Sequence, residues 1–387
     1  MAFTVFSPRT VRITHAFSAQ GLREQESRIK HYVDLLMLGL SSHGKAEPVN
    51  VVDWFNWTTF DLIGDLAFGE SFGCLENARA HPWVIAIFGS LASLVFIQAI
   101  RSLHLTLLLV FLVPKRLQRL RVENSHYARD KIAKRVNLGN ERGDFFDKVL
   151  KNGVIDEEKA DASQGIGMTI KEMESNAAAL VLAGSETTAT LLSGTTFQLL
   201  RNPKIMDKIV AEIRSSFQSE DQITIESTAH LPYLVCCLTE AMRIYPPVPT
   251  FVGRVVPSPG DTVNGKYLPG GTVIHMMQYA AYHLSQNFKR PEEFVPERWT
   301  KEGMEGEFRD DKRDVYQPFS VGPRGCIGIN LAYAEMRLIV TRLLWRFDLS
   351  IPKGQKDWQA WVERQKTFIL WEKGGLWVDV KERASAK

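Results

Sequence analysis

The sequence predicts a mainly α-helical protein with small β elements. Apolar residues recur at helical spacing along much of the chain as far as Tyr245. A run without proline over 170–200 is long enough for one long helix, which we expect to end before Asn202-Pro203. After Pro246 the sequence becomes rich in proline, glycine and β-branched residues, which predicts short strands and turns rather than a large sheet.

The predicted helices share an apolar stripe with polar residues between its members. They are Gly21–Leu40, Val51–Phe68, Pro82–Ile100, Lys115–Arg135, Asp144–Leu150, Ile170–Leu200, Pro203–Phe217, His230–Tyr245 and Ile329–Phe347. Between them we expect a polar loop over Gly153–Gly167, and after the last helix one or two weak strands.

The composition excludes several classes of protein. With 387 residues, 45% hydrophobic and 24% charged, the chain has the balance of an ordinary globular protein. A formal net charge of +3, with no marked run of Lys or Arg, argues against a nucleic-acid partner. The four cysteines are too few for a disulfide framework and lack zinc-ligand spacing. We therefore expect a reducing compartment, with Cys74, Cys236 and Cys237 as core thiols.

Neither terminus nor interior shows a clear membrane span. The first residues, MAFTVFSPRT, have no long apolar segment, so we expect no signal peptide and no N-terminal anchor. The most apolar stretch, Leu91–Val113, is interrupted by Gln98, Arg101 and His104, and its uninterrupted part is shorter than the ~20 residues that a spanning helix needs. A buried helix is favoured there, and a segment dipping into a membrane surface is the alternative.

A glycine-rich loop, Phe319–Gly328, places Cys326 at the start of the last long helix. Three glycines within seven residues supply unusual backbone conformations and let a flat ligand approach closely. At a helix N-terminus the macrodipole and the unpaired N–H groups stabilise a thiolate, so we expect a lowered pKa for Cys326. Such a thiolate on a haem iron favours O–O cleavage, and Arg324 could pair with a haem propionate.

Three other interpretations of this loop compete with haem ligation. A nucleotide-binding loop is disfavoured because Pro318 weakens any preceding strand and no Gly-Lys-Ser/Thr follows. A redox cysteine has no resolving partner nearby in the sequence. A buried inert thiol stays open, because burial is the most common fate of a cysteine. The loop by itself does not decide between an inert thiol and an iron ligand.

The segment Phe319–Gly328 resembles the haem-binding signature of the cytochrome P450 superfamily, FxxGxRxCxG, at every fixed position. The resemblance implies that Cys326 is the axial ligand of the iron of haem b and that Arg324 contacts a propionate. It also implies that Phe319 packs beside the sulfur and that Gly328 allows the helix to contact the haem.

Polar residues interrupt the predicted long helix at Ala183-Gly-Ser-Glu-Thr-Thr188. Thr187 follows Ala183 by one turn, so a hydroxyl and a small side chain share one face. The hydroxyl can relay a proton or bond back to the Ala183 carbonyl, and Gly184 permits close approach of a planar ligand. A helix start capped by Ser185 or Thr188 is the alternative, but it leaves the preceding apolar run unexplained.

This interruption resembles the family's oxygen-activation motif, A/G-G-x-D/E-T-T/S. By that match Thr187 acts in oxygen activation, Glu186 helps to deliver protons, and Ala183 and Gly184 lie against the haem. Cleavage of O₂ consumes two protons, so an acid–alcohol pair beside the iron suits the chemistry.

Two further motifs follow in the family's order. Glu240 and Arg243 are i,i+3 neighbours on a helix, and alone such a pair is usually an exposed salt bridge of little effect. Together with Pro296-Glu-Arg-Trp299 they resemble the ExxR and PERW elements, which implies a buried structural network of Glu240, Arg243 and Arg298 behind the haem. Arg254 matches another propionate-binding position, and a solvated arginine on a strand is the alternative.

These motifs cover residues 170–350, which we expect to be the haem-binding core of one P450 domain over 1–387. The most similar members known to us are membrane-bound fungal enzymes that hydroxylate terpenoid or polyketide intermediates of secondary metabolism. Against that pattern the family's membrane anchor, first helices and most of its N-terminal sheet would fall before Met1. We therefore expect an N-terminally shortened, incomplete P450 fold.

The resemblance implies a haem-thiolate monooxygenase that inserts one atom of O₂ into an apolar organic substrate. No nicotinamide or flavin fold is visible, so the electrons of NADPH would arrive through the flavins of a partner, NADPH–cytochrome P450 reductase. The alternatives are a shortened, inactive haem-thiolate protein and a P450-type isomerase or dehydratase, which the intact Glu186–Thr187 pair disfavours. Family members of this kind lie on the cytosolic face of the endoplasmic reticulum membrane; without an anchor the chain as given would be cytoplasmic.

Overall fold

Helices carry most of the chain in the computed structural model, which describes residues 8–86, 96–97, 99–100, 103, 105, 115–154, 168–250 and 253–383. A 3₁₀ helix, Pro8–Phe17, comes first. The α-helices that follow are α1 Ala19–His43, α2 Val51–Phe68, α3 Cys74–Asn77, α4 Lys115–Asn137, α5 Asp147–Lys151, α6 Ile170–Arg201, α7 Pro203–Ser216, α8 Pro232–Ile244, α9 Gln278–Tyr282, α10 Lys301–Glu305 and α11 Ile329–Arg346.

The predicted helices are confirmed to within a few residues wherever the structure describes them. The bounds of α2 agree at both ends because the Asn50 side chain caps its first turn and Gly69 leaves it with φ +80°. Of Pro82–Ile100, residues 82–86 are helical and most of the remainder lies outside the described residues. The predictions for Leu91–Val113 and for the loop Gly153–Gly167 also fall mostly outside them.

The strands are short and form small antiparallel sheets, as predicted. They are β1 Val49–Asn50, β2 Arg254–Val255, β3 Gly260–Val263, β4 Lys266–Pro269, β5 Val273–Ile274, β6 Phe347–Ser350, β7 Lys366–Thr367, β8 Trp371–Glu372 and β9 Trp377–Glu382. β9 lies between β1 and β6, and the pairs β2–β5, β3–β4 and β7–β8 stand alone. The tail holds four strands, β6 to β9, rather than the one or two predicted. One reason is that β9 pairs with β1, more than 300 residues earlier, and the local sequence does not show such a partner.

The long helix α6 forms the centre of the core. It packs against α2, α4, α8 and α11. Its N-terminus is fixed by a capping box in which Thr169 and Glu172 exchange side-chain and backbone hydrogen bonds. Residues 188–199 are buried throughout, which holds the preceding Ala183–Thr188 segment on a rigid support.

Among the described residues, no helix is both long enough and apolar enough to cross a bilayer.

Candidate active site

Cys326 lies in the loop that leads into α11. Its backbone N–H donates to the Phe319 carbonyl over 2.7 Å, which joins the two ends of the loop, and the Gly325 N–H donates to the Gly322 carbonyl over 2.9 Å. Cys326 is exposed, whereas Cys74, Cys236 and Cys237 are buried, as predicted for core thiols. The loop therefore presents the Cys326 thiol outside the packed core, and the interpretation as a buried inert thiol does not apply to it.

The three glycines of this loop differ in what they contribute. Gly322 has φ +68°, whereas Gly325 and Gly328 have φ −58° and −84°, which any residue adopts. The expectation of three unusual backbone positions is therefore correct for Gly322 alone. At Gly328 an added Cβ would meet only Cys326 Sγ, 3.9 Å away, so the absence of a side chain leaves open space beside the sulfur.

The pKa of Cys326 departs from the sequence expectation. The surrounding protein desolvates the sulfur, and this raises the pKa of the thiol, while the Gly328 backbone N–H opposes the rise. The expected lowering by the helix N-terminus is therefore wrong for the chain without a metal, because one N–H does not outweigh desolvation. A coordinated metal ion would reverse this balance, since it stabilises the thiolate and the proton is released to solvent.

The long helix turns one face outward at Ala183 and Thr187. Ala183 is exposed and Thr187 is half-buried, although the residues that follow are buried. The Thr187 hydroxyl donates to the Ala183 carbonyl over 2.6 Å. The predicted sharing of one face by a small side chain and a hydroxyl is confirmed, and the helix continues through this segment, which excludes the helix start considered as the alternative.

Gly184 lies where α6 packs against α2. A Cβ at this position would lie 3.0 Å from Ile63 Cδ1 of α2, a distance shorter than ordinary van der Waals contact. The missing side chain of Gly184 therefore serves the packing of α6 against α2. That Gly184 permits close approach of a planar ligand stays a prediction.

Glu186 points away from the outward face. Its side chain is buried and forms an ion pair with the Lys373 ammonium, and the Thr190 hydroxyl lies 3.4 Å from Glu186 Oε1. Successive residues of an α-helix are rotated by about 100°, so the acid and the Thr187 alcohol point in different directions. Among the described residues no hydrogen bond joins Glu186 to Thr187, and the acid–alcohol pair expected from the sequence is not formed as a direct contact.

The thiol loop and the outward face of α6 are connected through the crossing of α6 and α11. The Thr188 side chain of α6 lies next to the buried Glu335 carboxyl of α11 and lowers its pKa against the effect of burial. The two helices therefore touch one residue beyond Thr187. Glu335 follows Ile329, the first residue of α11, by six residues, which corresponds to roughly 9 Å along the helix. At the start of α11 the Asn330 side chain donates to the Phe17 carbonyl over 3.0 Å and fixes this end of the helix.

The remaining predicted cofactor contacts have exposed or partly buried side chains. Arg324 and Arg254 have exposed side chains, as a contact to a carboxylate at the edge of a ligand requires. The Phe319 ring lies 5.5 Å from the Tyr333 ring of α11 and is only partly buried. That it packs beside the sulfur stays a prediction.

The structure brings Glu240, Arg243 and Arg298 together in the core. All three side chains are fully buried. Arg243 donates Nε and Nη2 to the two Glu240 oxygens, each over 2.9 Å, and Arg298 Nε lies 3.3 Å from Glu240 Oε2. Arg243 also donates to the carbonyls of Tyr282, Pro291 and Glu293. The i,i+3 pair is therefore a buried bidentate contact and not a surface salt bridge.

Comparison with known proteins identifies the family. The family model described as Cytochrome P450 matches residues 8–374, a range that contains the thiol loop, the outward face of α6 and the buried network. The chain belongs to the cytochrome P450 family.

Several fungal P450s share this sequence over nearly its whole length. Averantin hydroxylase of Dothistroma septosporum is 42% identical over 97% of this chain and 69% of its own length. Cytochrome P450 monooxygenase astA of Talaromyces wortmannii is 44% identical over 96% of this chain and 72% of its own length. Among solved structures, the haem domain of cytochrome P450DA has a TM-score of 0.79 and 21% identity, covers 97% of this chain and 77% of that chain, and shows the same fold.

Membership and these relatives show a haem-thiolate monooxygenase. A P450 monooxygenase requires haem iron, an organic substrate, O₂ and a redox partner that supplies electrons. The fold class expected from the sequence, mainly α with small sheets and of the P450 type, is confirmed.

The residues present fit a haem. Haem iron needs only one strong protein ligand, and the exposed Cys326 thiol can supply it. The Cys326 thiol has open space beside it at Gly328. Val321 and Ile329, which flank the cysteine in sequence, are 64% and 37% exposed, and such an apolar border suits a porphyrin.

Sequence reasoning missed several partners of the predicted residues. Trp299 Nε1 donates to Glu240 Oε2 over 2.8 Å, and Asp311 pairs with Arg298. The contact of Trp299 with Glu240 could have been expected, because Trp299 belongs to the PERW element. Lys373 lies 187 residues after Glu186, and no local pattern marks it.

Proposed function

We propose that Cys326 is the axial ligand of the haem iron in this P450 monooxygenase. The observation that carries the proposal is the exposed thiol at the start of α11, with open space beside it at Gly328. In this proposal Arg324 and Arg254 bind the haem propionates, Phe319 packs beside the sulfur, and residues 170–350 form the haem-binding core. The bound haem supplies the oxygen and electron-transfer chemistry.

The chain's own residues would hold and move the protons. The Thr187 hydroxyl lies on the outward face of α6 with Ala183, where it would hydrogen-bond to a ligand bound against that face. The buried Glu240–Arg243–Arg298 network holds the segment that contains Pro291–Trp299 against α8, which supports the proximal side of the site.

We propose an apolar substrate of the polyketide or terpenoid type. The support is the similarity to averantin hydroxylase, whose name describes hydroxylation of an organic compound. Electrons would come from NADPH–cytochrome P450 reductase, and the site of action would be the cytosolic face of the endoplasmic reticulum membrane, as expected for fungal members of this kind.

The ligand assignment is tested by the carbon monoxide difference spectrum of the reduced protein. Wild type is expected to show the red-shifted Soret band of thiolate-ligated haem, and Cys326→Ala is expected to lose it. Cys236→Ala removes a buried core thiol and should keep the band. A band that survives in Cys326→Ala would overturn the assignment, and wild type that never takes up haem would favour the inactive protein.

The reaction type and the role of Thr187 are tested by turnover. With reconstituted reductase, substrate-dependent NADPH consumption is expected for a monooxygenase and not for an isomerase or dehydratase. Thr187→Ala should keep the carbon monoxide band but lower the product formed per NADPH by roughly tenfold or more. Unchanged coupling would remove the role proposed for its hydroxyl.

A further inference from the structure

A row of tyrosine and tryptophan rings runs from the core beside α6 to the surface. Tyr245, which is fully buried, stacks on Trp371 with ring centroids 4.7 Å apart. The Trp371 ring lies 5.8 Å from that of Tyr279, and Tyr279 stacks on the His283 ring at 4.0 Å. Tyr279 is 36% exposed. The three rings of Tyr245, Trp371 and Tyr279, here called the aromatic ladder, therefore lead from the core to solvent.

The buried end of the aromatic ladder packs on the helix that carries the oxygen-activation segment. A Cβ on Gly194 of α6 would lie 2.3 Å from Tyr245 Cδ1, so the ring lies directly against the helix backbone. Gly194 follows Thr187 by seven residues, or about 10 Å along the helix axis. Tyr245 is also close enough to Glu186 for the charge of that carboxylate to act on its phenol. The ladder therefore begins near the face proposed for oxygen activation.

The rings of the aromatic ladder are suited to pass on a single oxidising equivalent. Tyrosine and tryptophan give up one electron readily, because the ring and its oxygen or nitrogen share the unpaired electron that remains. The stacked and edge-to-face contacts of the ladder bring the three π systems against one another. The Trp371 indole N–H donates to the Pro246 carbonyl over 2.8 Å. A carbonyl takes up no proton at neutral pH, so an oxidised Trp371 would keep its proton and pass the electron vacancy on.

The surroundings of the two phenols favour movement of the electron vacancy toward the surface. A phenol that loses an electron becomes a strong acid and must release its proton. The Tyr245 hydroxyl donates to the Gln365 amide oxygen over 2.5 Å, and an amide does not take that proton at neutral pH. Tyr279 instead lies near solvent, and the charges of Glu292 and Glu363 act on its phenol. A radical is therefore most stable at Tyr279, the exposed end.

We propose that the aromatic ladder carries an oxidising equivalent from the active site to the surface when no substrate is oxidised, and so protects the enzyme. The oxygen chemistry of a bound haem is the source of the oxidant, and the inference rests on the proposed function for it. In each passage one electron moves inward along the ladder, and the Tyr279 phenol releases one proton to solvent. A soluble aliphatic thiol then returns one electron and one proton to Tyr279, and two of the resulting thiyl radicals join as a disulfide.

The test is electron paramagnetic resonance of the haem-loaded protein, frozen after mixing with an organic peroxide in the absence of substrate. Wild type is expected to show a tyrosyl radical, and Y279F should lose most of that signal. W371F and W371Y both lack the indole N–H that donates to the Pro246 carbonyl, but only the tyrosine can be oxidised. The radical yield should therefore fall by about an order of magnitude in W371F and be largely retained in W371Y.

A second readout is the fraction of haem protein that survives repeated additions of peroxide, measured by the carbon monoxide spectrum. Glutathione, an aliphatic thiol, should prolong the survival of wild type severalfold. It should prolong that of Y279F much less, because the thiol acts at the exposed end of the ladder. The matched controls are Y267F and W377F, which remove an exposed tyrosine and an exposed tryptophan outside the ladder and should change neither readout.

An undiminished tyrosyl signal in Y279F or W371F, or equal protection of Y279F and wild type by glutathione, would overturn the proposal. If W371F does not fold, Y279F decides the test, because phenylalanine keeps the ring at this partly exposed position. Wild type that binds haem and shows the carbon monoxide band but no tyrosyl radical overturns the ladder alone. Wild type that takes up no haem overturns the proposed function and the ladder together, so the two failures are distinguishable.

Discussion

Glu240 on α8 and Glu335 on α11 both have fully buried side chains, but they lie in very different surroundings. Glu240 accepts hydrogen bonds from Arg243, Arg298, the Trp299 indole and the Val295 backbone N–H. Neither oxygen of Glu335 has a hydrogen-bonding partner among the residues that the structure describes. One acid is thus bonded to two arginines, whereas the other has no hydrogen-bond donor among the described residues.

The difference shows two ways in which a fold accommodates a buried acid. At Glu240, side-chain and backbone donors replace the hydrogen bonds that water would make. At Glu335 burial disfavours the charge and raises the pKa to about 8, although the Thr188 side chain opposes the rise. The Glu335 carboxyl is therefore protonated at neutral pH, and its neutral form is what the crossing of α6 and α11 tolerates.

The largest expected effect follows from removing a cation at Glu240. Arg243→Met leaves the carboxylate buried with an incomplete set of partners, so we expect a loss of about 3–5 kcal/mol in the free energy of unfolding, measured by urea denaturation. The matched control is Arg290→Met, which removes the arginine of an i,i+3 pair with Glu293 whose side chains are 40% and 56% exposed. That loss should stay below about 1 kcal/mol. Equal losses would show that burial does not distinguish the two pairs.

An effect of intermediate size is expected at Glu335, where removing the acid should make the protein more stable relative to wild type as the pH rises. Between the ordinary pKa of a glutamate and about 8, the unfolded chain releases this proton while the folded chain retains it. Wild-type stability should therefore fall with rising pH by about 1.4 kcal/mol per unit from this group, or about 2.7 kcal/mol between pH 5 and 7. Glu335→Gln removes this contribution, so its stability relative to wild type should rise over that range.

Urea unfolding of both proteins at pH 5 and 7 checks this expectation. Glu302→Gln, on the exposed helix α10, serves as the control and should show no comparable change. A pH-independent difference between wild type and Glu335→Gln would mean that the acid is ionised in the folded protein.

The smallest effect is expected from one neutral donor to Glu240. Trp299→Phe removes the indole N–H bonded to Glu240 Oε2 and should cost about 2 kcal/mol in urea unfolding, since the acceptor is charged. Trp361→Phe removes an indole N–H bonded to the neutral Gly374 carbonyl, and that hydrogen bond contributes about 1 kcal/mol. If Trp361→Phe lost more free energy of unfolding than Trp299→Phe, packing of the indole rather than the charge of the acceptor would set the size of the loss.

The sequence by itself determined the helices and the order of the functional motifs. Helical spacing, the capping residues at Asn50 and Thr169 and the glycine at position 69 act within a few residues, so their effect is readable locally. The position of Cys326 just before the last long helix and the shared face of Ala183 and Thr187 follow from the same short-range geometry.

Only the tertiary structure decided which groups meet across the chain. Gly184 packs on Ile63, Glu186 turns to Lys373, Glu335 lies without donors, and the sulfur of Cys326 is desolvated enough to raise its pKa. Each of these depends on contacts between segments far apart in sequence, and on the loss of water around them. Local spacing places a side chain on a face of its helix, but the charge state and partners of that side chain depend on what packs against the face.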